Sequence, residues 1–302
     1  MNRKVSYKEK VSVITPVFNR LKELTRLYET LNNQTNDNFI WIIIDDGSEK
    51  PIDKIVNTWK KESKFKIEFI VQSNQGKMYA YKNAVKYLST PWSLVVDSDD
   101  IVSKEMVDIL YRTISSNIEE KDCGVVFPRK LGTYSPTSNK IPFWKKLPNR
   151  INIIDLRYQY SIPESTVFIK TDKLKKAFNS LQLPAEKFIS EEILYNKLME
   201  QGKFVVKDDL FYFGDYQEDG LTNHLFELWL KNPKSTIMLL KSRYQAMSSF
   251  PLKKRFIGQV KTNINLTAFA LATHRSVKSV SPNLIGSILL FLPALILKRK
   301  RF

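Results

Sequence analysis

The chain has 302 residues, of which 43% are hydrophobic and 26% are charged. This globular composition argues against a disordered chain and a polytopic membrane protein, and the length favours one large domain or one domain with an appendage. The formal net charge is +17, but all 31 acidic residues lie at or before Glu227, and the rest of the chain carries 14 basic residues. Because the body before this point is nearly balanced in charge, a nucleic-acid-binding core and a nucleic-acid partner are not expected.

Cysteine and histidine are scarce in this chain. The single cysteine, Cys123, cannot form an intrachain disulfide and is expected to be a small buried hydrophobic residue. With only two histidines, His224 and His274, the sequence offers no Cys/His metal cluster. The apolar run at residues 11–18 is too short and too polar for a signal peptide, so the sequence predicts a cytoplasmic location.

Apolar segments with strand and helix spacing alternate along the first half of the chain. The alternation predicts βαβ units and a doubly wound sheet, whose ligand site lies at the carboxyl ends of its strands. Predicted strands occupy residues 11–15, 39–44, 65–71, 92–96 and 124–128. Predicted helices occupy residues 21–33, 52–61, 79–88 and 104–115.

The second half of the chain is less regular. Residues 131–157 are rich in Pro, Asn and Lys, which predicts a loop or a mobile insertion. A helix is predicted over residues 190–202, ending at Gly202, and the chain beyond residue 225 is predicted to be helical and increasingly basic. Short strands are predicted at residues 166–169, 204–206 and 210–213.

Acidic residues follow two of the predicted strands directly. Residues 97–100 are Asp-Ser-Asp-Asp, and these three carboxylates would repel one another unless a cation such as Mg2+ or Mn2+ shares them. Such a cation could also bridge to a diphosphate and neutralise charge on a leaving group. The alternative is an Asp-rich turn that caps the following helix. Residues 45–48, Asp-Asp-Gly-Ser, have two interpretations as well: a carboxylate that accepts a nucleobase N–H, or a turn.

Four segments together resemble the glycosyltransferase family 2 enzymes, which have the GT-A fold. These are VSVITPVFNR, IIIDDGS, NQGKMYAYKNAVKYL and LVVDSDD, in the order and spacing of that family over roughly the first 230 residues. Two later segments, AEKFISEEILYNKL and YFGDYQEDGLTNHL, look like a bacterial subgroup that builds surface polysaccharides. The resemblance implies an α/β fold with a GT-A type doubly wound mixed sheet. It places a Rossmann-like nucleotide-sugar domain at residues 1–228 and a basic helical C-terminal extension at residues 229–302.

The resemblance also implies which residues bind a nucleotide-sugar donor. Phe18, in the first-strand motif with Pro16, would stack on the nucleobase, and Asp45 would bind uracil. Lys82 and Asn83 stand where the family commonly has an Arg-Asn pair, and lysine keeps the charge but loses bidentate phosphate recognition. The complete implied donor set is Pro16, Phe18, Asn19, Asp45, Gly76, Lys77, Lys82, Asn83, Asp97 and Asp100.

The same resemblance implies a metal cofactor and a catalytic base. Asp99, with Asp97, would ligate Mn2+ or Mg2+, and Asp99 is the more direct ligand. Glu191 and Glu192 fall where the family carries the carboxylate that takes the proton from the acceptor hydroxyl in an inverting transfer. We favour Glu191 as the base; the alternative is that both glutamates only stabilise the first turn of a helix. Residues 218–222 look like a loop of the subgroup that closes over the donor or shapes the acceptor pocket, or they form a simple turn.

The basic tail contains an uncharged run at residues 284–297, followed by four consecutive basic residues at 298–301. As a helix the run would span ~21 Å, which is short of a bilayer core of ~30 Å. Short apolar helices bordered by cations suit an anionic membrane surface, so the sequence predicts a peripheral protein on the inner face of the plasma membrane. The alternative is a buried C-terminal helix or an oligomer contact, and the oligomeric state stays open.

Together these inferences predict an inverting glycosyltransferase. It would move a sugar from a nucleotide sugar, with UDP as the expected nucleotide, to a cell-envelope glycan or a lipid-linked saccharide. The alternative is a catalytically silent, membrane-associated scaffold of the same fold, against which the intact acids Asp97, Asp99 and Glu191 argue. A nicotinamide-dependent oxidoreductase is not expected, because no G-x-G-x-x-G follows the first strand.

Overall fold

The computed structural model describes residues 10–131, 144–162, 164–214 and 224–302. The described residues form two compact units. The first unit takes in Met1–Leu181 and Lys197–Tyr216, and the second takes in Gln182–Asn196 and Gln217–Phe302, each as far as it is described.

A mixed β-sheet organises the first unit. Its strands are β1 (Val11–Val17), β2 (Phe39–Asp45), β3 (Lys66–Val71), β4 (Trp92–Val95), β5 (Ile101–Val102), β6 (Gly124–Leu131), β7 (Arg150–Ile151), β8 (Ser165–Lys170), β9 (Phe204–Val206) and β10 (Tyr212–Gly214). They lie in the order β3-β2-β1-β4-β8-β6-β10-β5, and β9 pairs with both β6 and β7. Strands β1 to β4 are parallel to their neighbours in this group, whereas β8 runs antiparallel to both β4 and β6. The doubly wound sheet is therefore parallel from β3 to β4 and mixed from β8 onward.

Helices connect the strands of the first unit and build the second. They are α1 (Leu21–Asn32), α2 (Asp53–Glu62), α3 (Lys77–Val85), α4 (Met106–Ile114), α5 (Ile153–Tyr160), α6 (Thr171–Asn179), α7 (Glu192–Met199), α8 (Leu225–Lys231), α9 (Pro233–Ala246), α10 (Leu252–Ala272), α11 (Val277–Val280), α12 (Leu284–Leu289) and α13 (Phe291–Arg301). From α8 onward, every regular element of the chain is a helix, as the composition of this segment predicts.

The core of the first unit lies around β1 and β2, whose residues are all buried. Burial on both faces suits continuous apolar strands in a parallel sheet, which is why these two segments lack a polar alternation. Helix α1 covers one face with Leu24, Leu27 and Leu31, and Tyr28 stacks on Trp59 with ring centroids 4.4 Å apart. This packing fixes the strands rigidly and so sets where their carboxyl ends lie.

One segment differs clearly from the expectation. The predicted loop or mobile insertion at residues 131–157 contains, in its described part, a 3-10 helix at Trp144–Lys146, strand β7 and the start of α5. The Trp144 side chain is buried, and its indole N–H donates to the Lys207 carbonyl at 2.7 Å. Composition rich in Pro, Asn and Lys therefore misled the prediction, because one buried aromatic residue anchors the segment against the sheet domain.

The second unit starts earlier in the chain than the predicted extension at residues 229–302. The Glu186 carboxylate accepts the backbone N–H groups of Lys234 and Ser235 at 3.0 and 2.6 Å, which satisfies the amino terminus of α9. The Phe188 N–H donates to the Asn232 side chain at 3.1 Å. These contacts tie Gln182–Asn196 to the carboxy-terminal helices, so the compact units do not divide at residue 228.

Candidate functional site

The carboxyl ends of β1 and β2 lie side by side, because Val17 pairs with Asp45 in the parallel register. Phe18 follows the end of β1 and is 41% exposed, which is unusual for an aromatic residue beside a buried core. Asp45 ends β2, is buried, and accepts the Ser48 N–H at 2.9 Å. Pro16 lies inside β1, opposite Ile44, and supports this edge rather than facing solvent. An exposed ring and a buried acceptor thus occupy neighbouring strand ends.

Asn19 joins the loops that follow these two strands. Its backbone has a positive φ of 54°, a conformation that asparagine tolerates better than most residues. Its N–H donates to the Ser48 hydroxyl at 2.9 Å, and its side-chain oxygen accepts the Glu49 N–H at 2.8 Å. Asn19 therefore fixes the loop that carries Phe18.

Asp46 organises the next loop along the same edge, a role that was not assigned from the sequence. The buried carboxylate accepts hydrogen bonds from the Gln72 side chain and from the backbone N–H groups of Gln75 and Gly76, at 2.7, 2.9 and 2.7 Å. The Asn83 amide in turn donates to Gln72 at 3.0 Å. Asp46 and Asn83 thus hold the turn that leads into α3. The available signal was the Asp-Asp pair itself, since adjacent residues at a strand end face different ways.

Replacing Asp46 by alanine is expected to destabilise the first unit by about 3 kcal/mol, because it removes a buried carboxylate that accepts three hydrogen bonds. Weaker binding of nucleotide should accompany this loss, since the loop before α3 is released. Chemical denaturation of the variant and the wild type measures the first effect. The matched control is Asp53→Ala at the exposed start of α2, where the loss of a helix-dipole interaction should cost under about 1 kcal/mol. Equal stability of the two variants would contradict this role of Asp46.

Gly76 and Lys77 begin α3 at this edge. Gly76 has φ 93° and ψ 159°, a conformation open to glycine and costly for other residues. The Lys77 ammonium lies 2.6 Å from a carboxylate oxygen of Asp97. Lys82, one turn further along α3, instead donates to the Leu181 carbonyl at 3.3 Å. The structure thus brings Gly76 and Lys77 to the acidic residues but gives Lys82 a backbone partner, so a phosphate contact from Lys82 stays a prediction.

Each carboxylate after β4 has its own cationic partner. Lys77 pairs with Asp97, and Arg20, at the start of α1, pairs with Asp99. The Arg129 guanidinium lies 2.8 Å from Asp100. The repulsion among these carboxylates, which was expected to require a shared metal ion, is reduced in this structure by contacts with Lys77, Arg20 and Arg129.

Arg129 and Tyr212 form a buried network around Asp100 that the sequence analysis missed. The Tyr212 hydroxyl donates to Asp100 at 2.6 Å and accepts the Asp97 N–H at 3.0 Å. The Arg129 guanidinium lies over the Tyr212 ring, 4.8 Å from its centroid. Both residues come from strands, β6 and β10, that are distant in sequence from the acids and pair with each other. No local sequence motif indicates the roles of Arg129 and Tyr212, because only the order of the strands in the sheet brings the two residues to Asp100.

The pKa values of Asp97 and Asp100 are shifted in opposite directions. Burial raises the pKa of Asp100 to about 6, even though the Arg129 guanidinium opposes the shift. Burial also disfavours the charged form of Asp97, but the Lys77 ammonium outweighs it and lowers the pKa of Asp97 below its ordinary value. Burial and the nearby acids raise the pKa of Tyr212 well above the usual range, so its hydroxyl stays a donor to Asp100. Asp97 is thus the acid of the two that stays charged at neutral pH.

A divalent cation would find two accessible carboxylates here. The side chains of Asp97 and Asp99 are 24% and 23% exposed, whereas Asp100 is only 2% exposed. Among the described residues, no group of three or more Asp, Glu, His or Cys side chains is arranged to hold a metal ion. Mg2+ commonly binds through one or two carboxylates together with phosphate oxygens and waters. The donor set fits a cation that shares its coordination with a bound diphosphate, and it does not fit a cage built by the protein alone.

Glu191 and Glu192 lie in the second unit and have different partners. Both oxygens of Glu192 accept hydrogen bonds from the Arg243 guanidinium, each at 2.7 Å, and the pair is largely buried. Glu191 instead accepts the Tyr195 hydroxyl at 3.1 Å. Glu192 is therefore held as a structural ion pair, while Glu191 has a neutral hydrogen-bond partner. The loop at residues 218–222, for which a role over the donor or acceptor was suggested, lies outside the described residues.

This chain is similar in sequence to proteins named as glycosyltransferases. Glycosyltransferase GlyG of Streptococcus pneumoniae is 31% identical over 119 residues, which cover 39% of this chain and 38% of GlyG. Poly(ribitol-phosphate) beta-N-acetylglucosaminyltransferase TarP of Staphylococcus aureus is 26% identical over 224 residues, which cover 72% of this chain and 66% of TarP. The chain thus spans less than two thirds of the length of these relatives.

A solved structure, that of S. aureus TarS 1-349, has a similar fold. S. aureus TarS 1-349 in complex with UDP-GlcNAc superimposes with a TM-score of 0.58 at 16% identity, covering 97% of this chain and 89% of that chain. This likeness confirms the predicted GT-A type α/β fold with its C-terminal helical region. The model of the family described as "Glycosyl transferase family 2" matches residues 12–175, which contain the sheet edge with Phe18, Asp45 and the acids after β4. The resemblance inferred from four short motifs is therefore confirmed, and the chain belongs to glycosyl transferase family 2.

Proposed function

We propose that this protein transfers a sugar from a UDP-linked donor to a cell-envelope glycan or a lipid-linked saccharide, with inversion at the anomeric carbon. The observation that carries the proposal is the set of groups along one sheet edge. An exposed Phe18 ring lies beside the buried Asp45 carboxylate, and two cation–carboxylate pairs, Lys77–Asp97 and Arg20–Asp99, belong to the same edge.

The groups at this edge match the parts of a nucleoside diphosphate. A nucleobase stacks on an aromatic face with a gain of ~1–3 kcal/mol, and Phe18 offers such a face. Asp45 would accept the imide N–H of uracil. Lys77 and Arg20 would exchange their carboxylate partners for phosphate oxygens. The likeness to TarS, whose structure contains UDP-GlcNAc, favours UDP and an N-acetylhexosamine as the first donor to test.

Asp99, with Asp97, would hold the divalent cation, either Mn2+ or Mg2+. When bound, this cation would neutralise the charge that develops on the leaving diphosphate. Asp100 does not face this cation in the proposal, because its carboxylate is engaged by Arg129 and Tyr212. It would instead hold the loop that carries Asp97 and Asp99 and border the donor sugar. Glu191 would take the proton from the acceptor hydroxyl as that oxygen attacks the anomeric carbon.

The test is a screen of nucleotide sugars, starting with UDP-GlcNAc, for Mn2+-dependent hydrolysis or transfer by the purified full chain. Release of UDP in the presence of Mn2+ and its loss with EDTA support the proposal. Binding of UDP without any turnover, across donors and envelope extracts as acceptors, would favour the silent scaffold.

Asp99→Asn is expected to weaken the Mn2+-dependent binding of UDP by about tenfold or more, because an amide is a poorer ligand than a carboxylate for a hard cation. Titration calorimetry with Mn2+ and with EDTA measures this change, and thermal unfolding checks the fold. Asp172→Asn, at an exposed position in the first turn of α6, is the matched control and should bind as the wild type does. An Asp99→Asn variant that binds UDP with the same metal dependence as the wild type would refute the ligand assignment.

A further inference from the structure

Helices α12 and α13 expose their large apolar side chains and bury small residues. The buried positions are occupied by the small residues Ser287 and Ala294. Large aliphatic side chains point outward, and Ile285, Leu289 and Leu292 are 74%, 78% and 71% exposed. A surface helix normally buries its large apolar residues and exposes its polar ones. This inverted arrangement indicates that the outer face of α12 and α13 meets an apolar environment.

Hydrogen bonds fix the inverted orientation. The buried Ser287 hydroxyl donates to the Asn263 side-chain oxygen and accepts the Thr267 hydroxyl, each at 3.0 Å. The Asn263 amide also donates to the Asn283 carbonyl at 3.2 Å. Rotating the helix to bury its leucines would break these bonds within the apolar packing against α10, and buried polar groups without partners are costly. The outward side chains therefore belong to the folded state of this unit.

The start of α10 has the same composition. Leu252 and Phe256 are 83% and 70% exposed, and exposed Lys253, Lys254 and Arg255 lie between them. The end of α13 is also basic, because Arg299 and Lys300 are exposed there. No carboxylate occurs after Glu227 in the sequence, so these cations have no acidic side chain nearby in the chain to balance them.

The length of the apolar segments limits how they can meet lipid. In the described part of the chain, no helix combines the length and apolarity that a membrane crossing requires. An amphipathic element with aliphatic side chains on one side and Lys or Arg at its borders is suited to the boundary between headgroups and acyl chains. Its cations are attracted to anionic phospholipids at the same depth.

We propose that α12, α13 and the start of α10 form a lipid-binding surface that holds the protein on an anionic membrane. The aliphatic side chains insert below the headgroups, and the basic residues contact lipid phosphates. The hydrogen bonds of Asn263 and Ser287 hold the aliphatic side chains outward before the protein contacts lipid. This surface is independent of the proposed transfer reaction, because it uses none of the residues assigned to donor binding or catalysis.

The test is flotation of the full chain with vesicles of phosphatidylcholine alone and of phosphatidylcholine with 30% phosphatidylglycerol. The wild type should float with the anionic vesicles, bind the neutral ones at least about tenfold less, and dissociate at high salt, because screening shortens electrostatic attraction. Removing each basic residue near the surface should weaken binding by about fivefold. The variant Arg299→Gln/Lys300→Gln measures this effect. Arg301 is kept, since it donates to Asn265 and lies over the Phe226 ring.

The aliphatic part is tested with Ile285→Ser/Leu289→Ser/Leu292→Ser, which should lose at least about tenfold in vesicle affinity. Val71→Ser, at a 62% exposed position of the first unit, is the matched control and should float as the wild type does. Unchanged melting of the triple variant shows that the fold is kept. Equal binding to neutral and anionic vesicles, or undiminished flotation of the triple variant, would overturn the proposal. So would binding that only detergent reverses, which indicates insertion, or a triple variant that changes the oligomeric state but not the flotation, which indicates a protein contact.

Discussion

Glu191→Gln is expected to lose transfer by a factor of about 10² to 10⁴ while keeping donor affinity and stability. General base catalysis contributes on this scale. Glutamine has the same shape as glutamate, but its amide does not act as a base. The Tyr195 hydroxyl, which donates to Glu191 at 3.1 Å, can still donate to the amide oxygen, so the local structure should persist. Turnover with the best donor found, together with UDP binding and thermal unfolding, measures the three quantities separately.

Glu192→Gln is the matched comparison, because it makes the same chemical change one residue away. This substitution breaks a buried bidentate ion pair with Arg243, so it is expected to cost about 3 kcal/mol or more of stability. Below its unfolding temperature this variant should retain transfer within about tenfold. Activity that survives in Glu191→Gln but disappears in a folded Glu192→Gln would reverse the assignment. Full activity in both would place the base elsewhere.

Arg129→Met is expected to destabilise the first unit by about 3–5 kcal/mol, because it leaves the buried Asp100 carboxylate without its cation. The loss should be larger at pH 7 than at pH 5. Burial already raises the pKa of Asp100 to about 6, and removing the guanidinium that opposes this shift should raise the pKa further, so that at pH 5 a proton neutralises the carboxyl group of the variant. Denaturant unfolding at both pH values gives the free energy of unfolding of the variant and the wild type. The difference between the two proteins at each pH removes the contribution of the other titrating groups.

The control for Arg129→Met is Arg112→Met, which removes a surface arginine 3.9 Å from Asp209. Exposed pairs of this kind contribute about 0–1 kcal/mol, so this variant should be nearly as stable as the wild type. Tyr212→Phe tests the same network without removing a charge and should cost about 1–3 kcal/mol. A loss for Arg129→Met that matches Arg112→Met, or one that grows toward pH 5, would contradict the account of Asp100.

Much of the sheet could be predicted because its strands are locally distinctive. The apolar runs that became β1 and β2 are followed directly by polar residues, and the structure places Phe18 and Asp45 together at their ends as the parallel register requires. The antiparallel β8 and the partners of Asp100 could not be predicted in the same way. Arg129 and Tyr212 occur in strands without a motif, and their contact depends on the order β6-β10-β5 within the sheet.

The roles of adjacent acids show a second limit of local patterns. Asp45 and Asp46 look alike in the sequence, yet one accepts a single backbone N–H from Ser48 and the other holds the turn before α3. Glu191 and Glu192 are also equivalent in sequence, and only the position of Arg243, about 50 residues later, separates them. Tertiary partners, which the residue type does not reveal, thus give adjacent acids different contacts.

The ion pairs after β4 have a consequence for how a donor would enter. Lys77, Arg20 and Arg129 each contact one of the three carboxylates, so the acids are already paired with cations before anything binds. A diphosphate alone would compete with the acids for the same cations, and a divalent cation alone would compete with the cations for the same acids. Arriving together, the two ligands exchange partners with the protein without changing the total charge. Each should therefore raise the affinity for the other by the same factor, as thermodynamic linkage demands.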